Sequence, residues 1–114
     1  MTSGNIVKLN VGGTIFQTTR STLTYNKPAF RNEESLFKKM LESKVPVELD
    51  SDGCIFIDRD PTHFRFILNF MRDGSVELPE NLKDVKEILK EAEFYLLPRL
   101  QVLCKQEEQL LLRM

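Results

Sequence analysis

The sequence lacks the segments that direct a protein into or across a membrane. Its 114 residues contain no apolar run long enough to cross a lipid bilayer, so we expect no membrane partner. Residues 1–5 lack the basic and apolar regions of a secretory signal, which favours a cytoplasmic location. Only 2 cysteines are present, Cys54 in a strand pattern and Cys104 in a helix pattern. This context favours reduced core thiols over a disulfide.

An excess of charge of one sign is missing too. The chain has 16 lysines and arginines against 17 aspartates and glutamates, for a formal net charge of -1. The basic residues are dispersed and form no stripe interleaved with aromatic side chains, so we expect no nucleic-acid partner.

The sequence also offers little for an enzyme or a metal site. The single histidine, His63, has no serine or cysteine partner in a recognisable motif, which argues against catalysis. Cys54, His63 and Cys104 stand at unrelated spacings, so we expect no metal and no cofactor. Asp58 and Asp60 could pair for acid–base chemistry, but a cap on the following helix accounts for such residues better.

A strand, a corner and a helix are well marked between residues 53 and 74. An apolar run ending at Ile57 predicts the strand, and Pro61 suits the first position of the helix. Asp60 could cap this helix and Gly74 could end it. Apolar residues cover most of the helix circumference, so we predict that the helix is the hub of one compact core. They are Phe64, Ile67, Leu68 and Met71, with Phe66 and Phe70 beside them.

Two strand pairs are predicted. Alternating apolar residues precede Gly12-Gly13, a pair that suits a two-residue hairpin turn. In the predicted register Leu9 faces Phe16 on the core side. The opposite face is mixed, and it is either solvated or covered when another chain arrives. It carries Lys8, Asn10, Ile15 and Gln17. The second pair joins residues 45–49 to the strand that ends at Ile57.

Helix signals occupy the rest of the chain. A short helical turn is predicted from Arg20 to Thr24 and ends at Asn26-Lys27-Pro28. Ser35 and Asn81 are placed to cap two further helices, and Pro98 is placed to begin a last one. This order of elements describes an α+β domain with a small sheet and a helical cluster.

Several motifs follow one another in order along the chain. They are Leu9-Asn10-Val11-Gly12-Gly13-Thr14, Thr18-Thr19-Arg20-Ser21-Thr22-Leu23, Phe56-Ile57-Asp58-Arg59-Asp60-Pro61, Ile67-Leu68-Asn69-Phe70-Met71-Arg72 and Glu91-Ala92-Glu93-Phe94-Tyr95. Together they resemble the BTB/POZ domain of the potassium-channel-tetramerisation type. The resemblance implies the BTB fold, a small mixed β-sheet flanked by a cluster of α-helices. We expect a flexible N-terminus over residues 1–5, this domain over residues 6–104 and a C-terminal helix extension over residues 105–114.

The resemblance also implies self-association into a homo-tetramer or homo-pentamer, and two kinds of protein share the fold. One is the cytoplasmic assembly domain of voltage-gated potassium channels, where several subfamilies join subunits through zinc with a histidine and cysteines. Residues 74–81 here contain neither. The other is the soluble KCTD-type family, many of whose members bind cullin-3 as ubiquitin-ligase adaptors. Gly74-Ser75-Val76 with Leu78-Pro79-Glu80 resembles the RhoA-directed adaptors. We therefore favour the adaptor function. The alternatives are a channel assembly domain and an oligomeric scaffold without cullin binding.

Two sets of site residues are predicted. A head-to-tail ring needs two different patches on each subunit, and its charged contacts set register. For this oligomer interface we expect Lys8, Asn10, Gln17, Asp58, Arg59 and Asp60. The alternative is that Arg59 bonds only within its own subunit.

The cullin-3 contact is expected at the end of the short helix that Ser35 caps. A few partly exposed apolar side chains ringed by charge suit such a contact. The candidates for the cullin-3 contact are Phe37, Met40, Leu41 and Glu42, and the alternative is that Phe37 and Met40 are core. In this family the substrate protein binds a region outside the BTB domain, so we expect it to bind outside this chain.

Overall fold

A computed structural model describes residues 5–24 and 33–114 of the chain. The chain divides into two compact units, Met1–Thr62 and His63–Met114. The predictions for residues 1–4 and for the turn at residues 26–28 lie outside the described residues. A mixed sheet in the first unit and helices in both confirm the α+β class.

The first unit is built on a four-stranded sheet. Its strands are β1 (Ile6–Val11), β2 (Thr14–Thr19), β3 (Glu48–Leu49) and β4 (Ile55–Ile57), in the order β2-β1-β4-β3. Strands β1 and β4 are parallel, and the other two pairs are antiparallel hairpins. Leu9 lies opposite Phe16, so the predicted register of the first hairpin is confirmed. The second hairpin is also confirmed, although its first strand is shorter than the alternation predicted.

Two short helices complete the described part of this unit, α1 (Arg20–Leu23) and α2 (Leu36–Leu41). Thr19 caps α1 by accepting a hydrogen bond from the Thr22 amide. Ser35 caps α2, as predicted, by accepting from the Lys38 amide at 3.2 Å. The Ser35 hydroxyl also donates to the Leu23 carbonyl at 3.3 Å, so the first turn of α2 is held to the end of α1.

The second unit is helical. Its helices are α3 (Phe64–Asp73), α4 (Leu82–Phe94) and α5 (Pro98–Leu112). Gly74 ends α3 with a φ of 82°, the Asn81 side chain caps α4, and Pro98 begins α5, all as predicted.

The predicted start of α3 is wrong by three residues. The helix begins at Phe64 and not at Pro61. The reason is that the Asp60 carboxylate accepts hydrogen bonds from the amide and hydroxyl of Thr62 and closes a separate turn before the helix. Asp60 therefore caps this turn, and His63 occupies the cap position of α3 without a side-chain bond.

Apolar side chains of all three helices are buried in the second unit. Helix α3 buries Phe64, Ile67, Leu68, Phe70 and Met71, which fits the predicted apolar circumference. The rings of Phe64 and Tyr95 meet edge to face with centroids 5.5 Å apart. Cys54 of the first unit and Cys104 of this one are buried free thiols. Burial, with a smaller contribution from Glu108, raises the pKa of the Cys104 thiol to about 12.

Over residues 5–24 and 33–114, every helix is too short or too polar to cross a lipid bilayer.

Candidate interaction surfaces

One face of the hairpin formed by β1 and β2 is open to solvent. In the sheet register Lys8 lies opposite Gln17 and Asn10 lies opposite Ile15, on the side that does not carry Leu9. Ile15 is 52% exposed and Ile6, on the same face, is 49% exposed. Lys8 and Gln17 are exposed as well. We call this surface the outer sheet face; it combines two uncovered isoleucines with polar neighbours, as predicted for Ile15.

Asn10 belongs to the same face but has a different environment. Its side-chain Nδ2 donates to Asp50 Oδ2 at 2.8 Å, and its side-chain Oδ1 accepts from the Gly13 amide at 2.8 Å. Asp50 Oδ1 in turn accepts from the amides of Asp52 and Cys54, each at 2.9 Å. The Asn10 bond, ahead of these backbone bonds, holds the pKa of the Asp50 carboxyl below its ordinary value. Asn10 therefore links the two hairpin turns of its own chain.

The corner Asp58-Arg59-Asp60 follows β4 and lies beside the first hairpin turn. The Gly12 amide donates to the Ile57 carbonyl at 2.9 Å, and the Arg59 amide donates to the same carbonyl at 3.0 Å. A Cβ atom on Gly12 would lie only 2.4 Å from the Arg59 carbonyl oxygen. Asp58 is exposed and Arg59 is half-buried. The fold thus brings the corner, predicted for the oligomer interface, to the turn end of the outer sheet face.

The four residues predicted to contact cullin-3 do not share one environment. Met40 and Leu41 are half-buried and Glu42 is exposed, in line with a partly exposed end of α2. Phe37 is only 1% exposed, so the expectation of a partly exposed side chain is wrong for this residue. Phe37 lies in the first turn of α2, which the Ser35 bond holds to α1, and this placement accounts for its burial.

The end of α2 is held by several polar contacts. The Arg20 guanidinium donates to the Leu41 carbonyl at 3.1 Å. Ser43 adopts a φ of 60°, and the Lys44 amide returns to the Lys39 carbonyl at 2.8 Å, as in a Schellman helix end. The Lys44 ammonium lies 2.7 Å from Glu34 and lowers the pKa of that carboxyl.

The second unit contains a cluster that sequence reasoning missed. His63 Nε2 lies 2.8 Å from Glu87 Oε1 and 3.8 Å from Asp84 Oδ1. Residues 84 and 87 are three apart in α4, a spacing that places both carboxylates on one side of a helix. The sequence signal for this cluster was the spacing of Asp84 and Glu87 after the predicted Asn81 cap. Nothing in the sequence placed His63 beside these two carboxylates.

Comparisons with known proteins give matches that cover most of the chain. A family model described as BTB/POZ domain matches residues 7–104. One similar curated protein is the "BTB/POZ domain-containing adapter for CUL3-mediated RhoA degradation protein 1" of Danio rerio, 40% identical over 104 residues, which are 91% of this chain and 29% of that protein. Protein 2 of the same name from Homo sapiens is 37% identical over 99 residues, 87% of this chain and 29% of that protein. The chain therefore spans less than a third of the length of these relatives.

Proposed function

The chain belongs to the BTB/POZ domain family, and we propose that it is a homo-oligomerising protein-interaction module. In this proposal it is the cullin-3-binding part of a cytoplasmic ubiquitin-ligase substrate adaptor. The observation that carries the proposal is the similarity, over 91% of the chain, to a protein named as an adapter for CUL3-mediated RhoA degradation. Such a module acts through two surfaces, one for further copies of itself and one for cullin-3.

The outer sheet face supports the assembly step. Two half-exposed isoleucines on one face are apolar area that a second copy could remove from water. A closed ring uses two different patches on each subunit, so the outer sheet face of one copy would meet the corner residues of the next. Lys8 and Asp58 are exposed and of opposite charge, which suits such a contact. Arg59 adds a planar fork that can bind carboxylates or carbonyls.

Light scattering of the purified chain tests assembly. We expect a mass several times that of one chain, and a shift towards the monomer in Arg59→Ala and Ile15→Ser. Arg65→Ala is the matched control, because Arg65 is an exposed arginine of α3 outside both patches. A wild-type chain that stays monomeric overturns the assembly proposal. Unchanged assembly of Arg59→Ala would remove Arg59 from the interface.

The end of α2 supports the cullin-3 step. Met40 and Leu41 offer partly exposed apolar surface, and the flexible thioether of methionine adapts well to a partner. Glu42 and the ion pairs of Lys44 with Glu34 and Glu42 add a charged rim. In this proposal Phe37 does not contact cullin-3, because its ring is buried. Its packing stabilises the position of α2.

Titration calorimetry with cullin-3 tests this surface. Met40→Ala should weaken binding about thirtyfold, the loss of about 2 kcal/mol expected for one hot-spot side chain. Glu42→Lys should weaken it too, whereas Glu48→Lys, the same change at an exposed glutamate of β3, should not. Wild-type affinity in both Met40→Ala and Glu42→Lys would contradict the assignment. Phe37→Ala is a poor probe, because emptying a buried aromatic site costs about 3–5 kcal/mol of stability.

Native mass spectrometry with and without cullin-3 distinguishes the remaining alternatives. It distinguishes an assembly of four subunits from one of five. An assembly that does not bind cullin-3 would favour the scaffold function. Apolar spans of about 20 residues in a full-length sequence would favour a channel. The substrate is proposed to bind a region outside this chain, and RhoA, named in the relatives, is the first to test.

A further inference from the structure

Three side chains with metal-binding atoms converge in the second unit. His63 precedes α3, while Asp84 and Glu87 lie in the first two turns of α4. One donor atom from each side chain can be chosen so that all three lie within 4.8 Å of one another. The histidine contributes a nitrogen donor from the cap position of α3, so the cluster is more than a pair of neighbouring acids on one helix.

Among the described residues, no lysine or arginine forms an ion pair with Asp84 or Glu87. Across the described residues, the ion pairs of Asp84 and Glu87 are with His63 alone. Lys83 stands four residues before Glu87, a spacing at which helical ion pairs form, yet no such pair is present. With a neutral imidazole, the donor set carries two negative charges, the complement of a divalent cation.

Neighbouring groups hold the donors in place. The Asn81 side-chain amide donates to Asp84 Oδ2 at 2.8 Å, which leaves Oδ1 directed at His63. The His63 side chain is 11% exposed, and its ring centroid lies 6.1 Å from that of Phe66. Asn81 thus orients the Asp84 carboxylate in the way that second-layer groups orient the ligands of a metal site.

We propose that His63, Asp84 and Glu87 bind a zinc-type divalent transition-metal ion, with water completing its coordination. At metal–ligand distances of about 2.0–2.2 Å, tetrahedral donors lie about 3.4 Å apart. The distances from His63 Nε2, 2.8 Å to Glu87 and 3.8 Å to Asp84, bracket that value. The imidazole favours zinc over magnesium or calcium, which prefer oxygen alone. This site lies within one chain and uses no cysteine, so it is independent of the proposed assembly.

Calorimetric titration of the 114-residue chain with Zn²⁺ at neutral pH tests the proposal. We expect a single ion per chain, at least tenfold tighter than Mg²⁺. Glu87→Gln and His63→Ala should each lower the affinity at least tenfold, and circular dichroism confirms that the variants fold. Glu93→Gln is the matched control, since it removes the same charge from an exposed glutamate of α4.

Three outcomes overturn the site. The first is that the wild-type chain does not bind Zn²⁺. The second is that both Glu87→Gln and His63→Ala bind Zn²⁺ as tightly as wild type, and the third is that Mg²⁺ binds as tightly as Zn²⁺. Co²⁺ absorption provides a check on the thiols: a sulfur-to-metal charge-transfer band would place the ion on Cys54 or Cys104 and would also overturn it.

Discussion

The two hairpin turns of the first unit both use glycine, but for different reasons. Gly12 has a φ of 56° and Gly53 a φ of 82°, so both lie in the left-handed region that favours glycine. A Cβ atom on Gly12 would meet the Arg59 carbonyl oxygen at 2.4 Å, whereas one on Gly53 would meet nothing within 4 Å. The first turn is therefore packed and the second is open. Glycine is needed at Gly12 for conformation and for space, and at Gly53 for conformation alone.

This difference matters for the proposed function. The packed turn touches the corner Asp58-Arg59-Asp60, which is proposed to contact the next subunit. The open turn carries Asp50, which is linked to β1 through Asn10. A change at the packed turn should therefore disturb both stability and assembly, while a change at the open turn should disturb stability alone.

The largest expected effect is that of Gly12→Ala. A left-handed alanine costs about 1–2 kcal/mol, and forcing a methyl group into packed backbone costs about 1–3 kcal/mol more, so we expect a loss near 3 kcal/mol. Gly53→Ala, with open space, should lose about 1 kcal/mol. Urea unfolding at one fixed protein concentration measures both. Equal losses would mean that the contact with Arg59 does not matter.

Asn10→Ala comes next, because Asn10 joins the two turns. The substitution removes a bond to the charged Asp50 and a bond from the Gly13 amide, so we expect a loss of about 2 kcal/mol. Glu48→Ala is the control, because Glu48 is an exposed residue of β3 outside both proposed surfaces and its loss should change the free energy of unfolding by less than about 0.5 kcal/mol. If Asn10→Ala matched Glu48→Ala, the two turns would be independent.

The Asn10 link also predicts a pH dependence. The folded chain lowers the pKa of Asp50 from its ordinary value of 3.8, chiefly through the Asn10 bond. A lowered carboxyl pKa stabilises the fold above the ordinary value, and this stabilisation is lost as pH falls through the folded value. Below about pH 4, the free energy of unfolding should therefore fall less steeply in Asn10→Ala than in wild type. Equal slopes would remove Asn10 as the cause of the lowered pKa.

Elements set by local rules were predictable from the sequence. The Gly12-Gly13 turn predicts the hairpin register that the structure has, and Ser35 and Asn81 cap the helices that their positions in the sequence predict. These signals depend on neighbouring residues, so spacing alone reveals them. The start of α3 was missed because the Asp60 carboxylate had two ways to bond nearby amides, and it closed a turn instead of capping the helix.

The candidate sites were less predictable, because they depend on contacts between distant residues. Spacing placed Phe37 with Met40 on one side of α2, but could not tell that Phe37 is buried. It placed Asn10 on an outer face, but not its bond to Asp50, 40 residues away. His63 lies 24 residues before Glu87, and only the packing of α3 and α4 brings the two together.

The smallest expected effect tests the open-turn argument on a residue that is not glycine. Ser43 ends α2 with a φ of 60° and is exposed. Ser43→Gly relieves about 1 kcal/mol of left-handed strain but gives the unfolded chain more freedom, so we expect a net gain near 0.5 kcal/mol. Urea unfolding measured beside Gly53→Ala checks the sign. A loss of stability instead would mean that the serine side chain stabilises the end of α2. Backbone strain alone would then not determine the effect of a substitution at an open left-handed position.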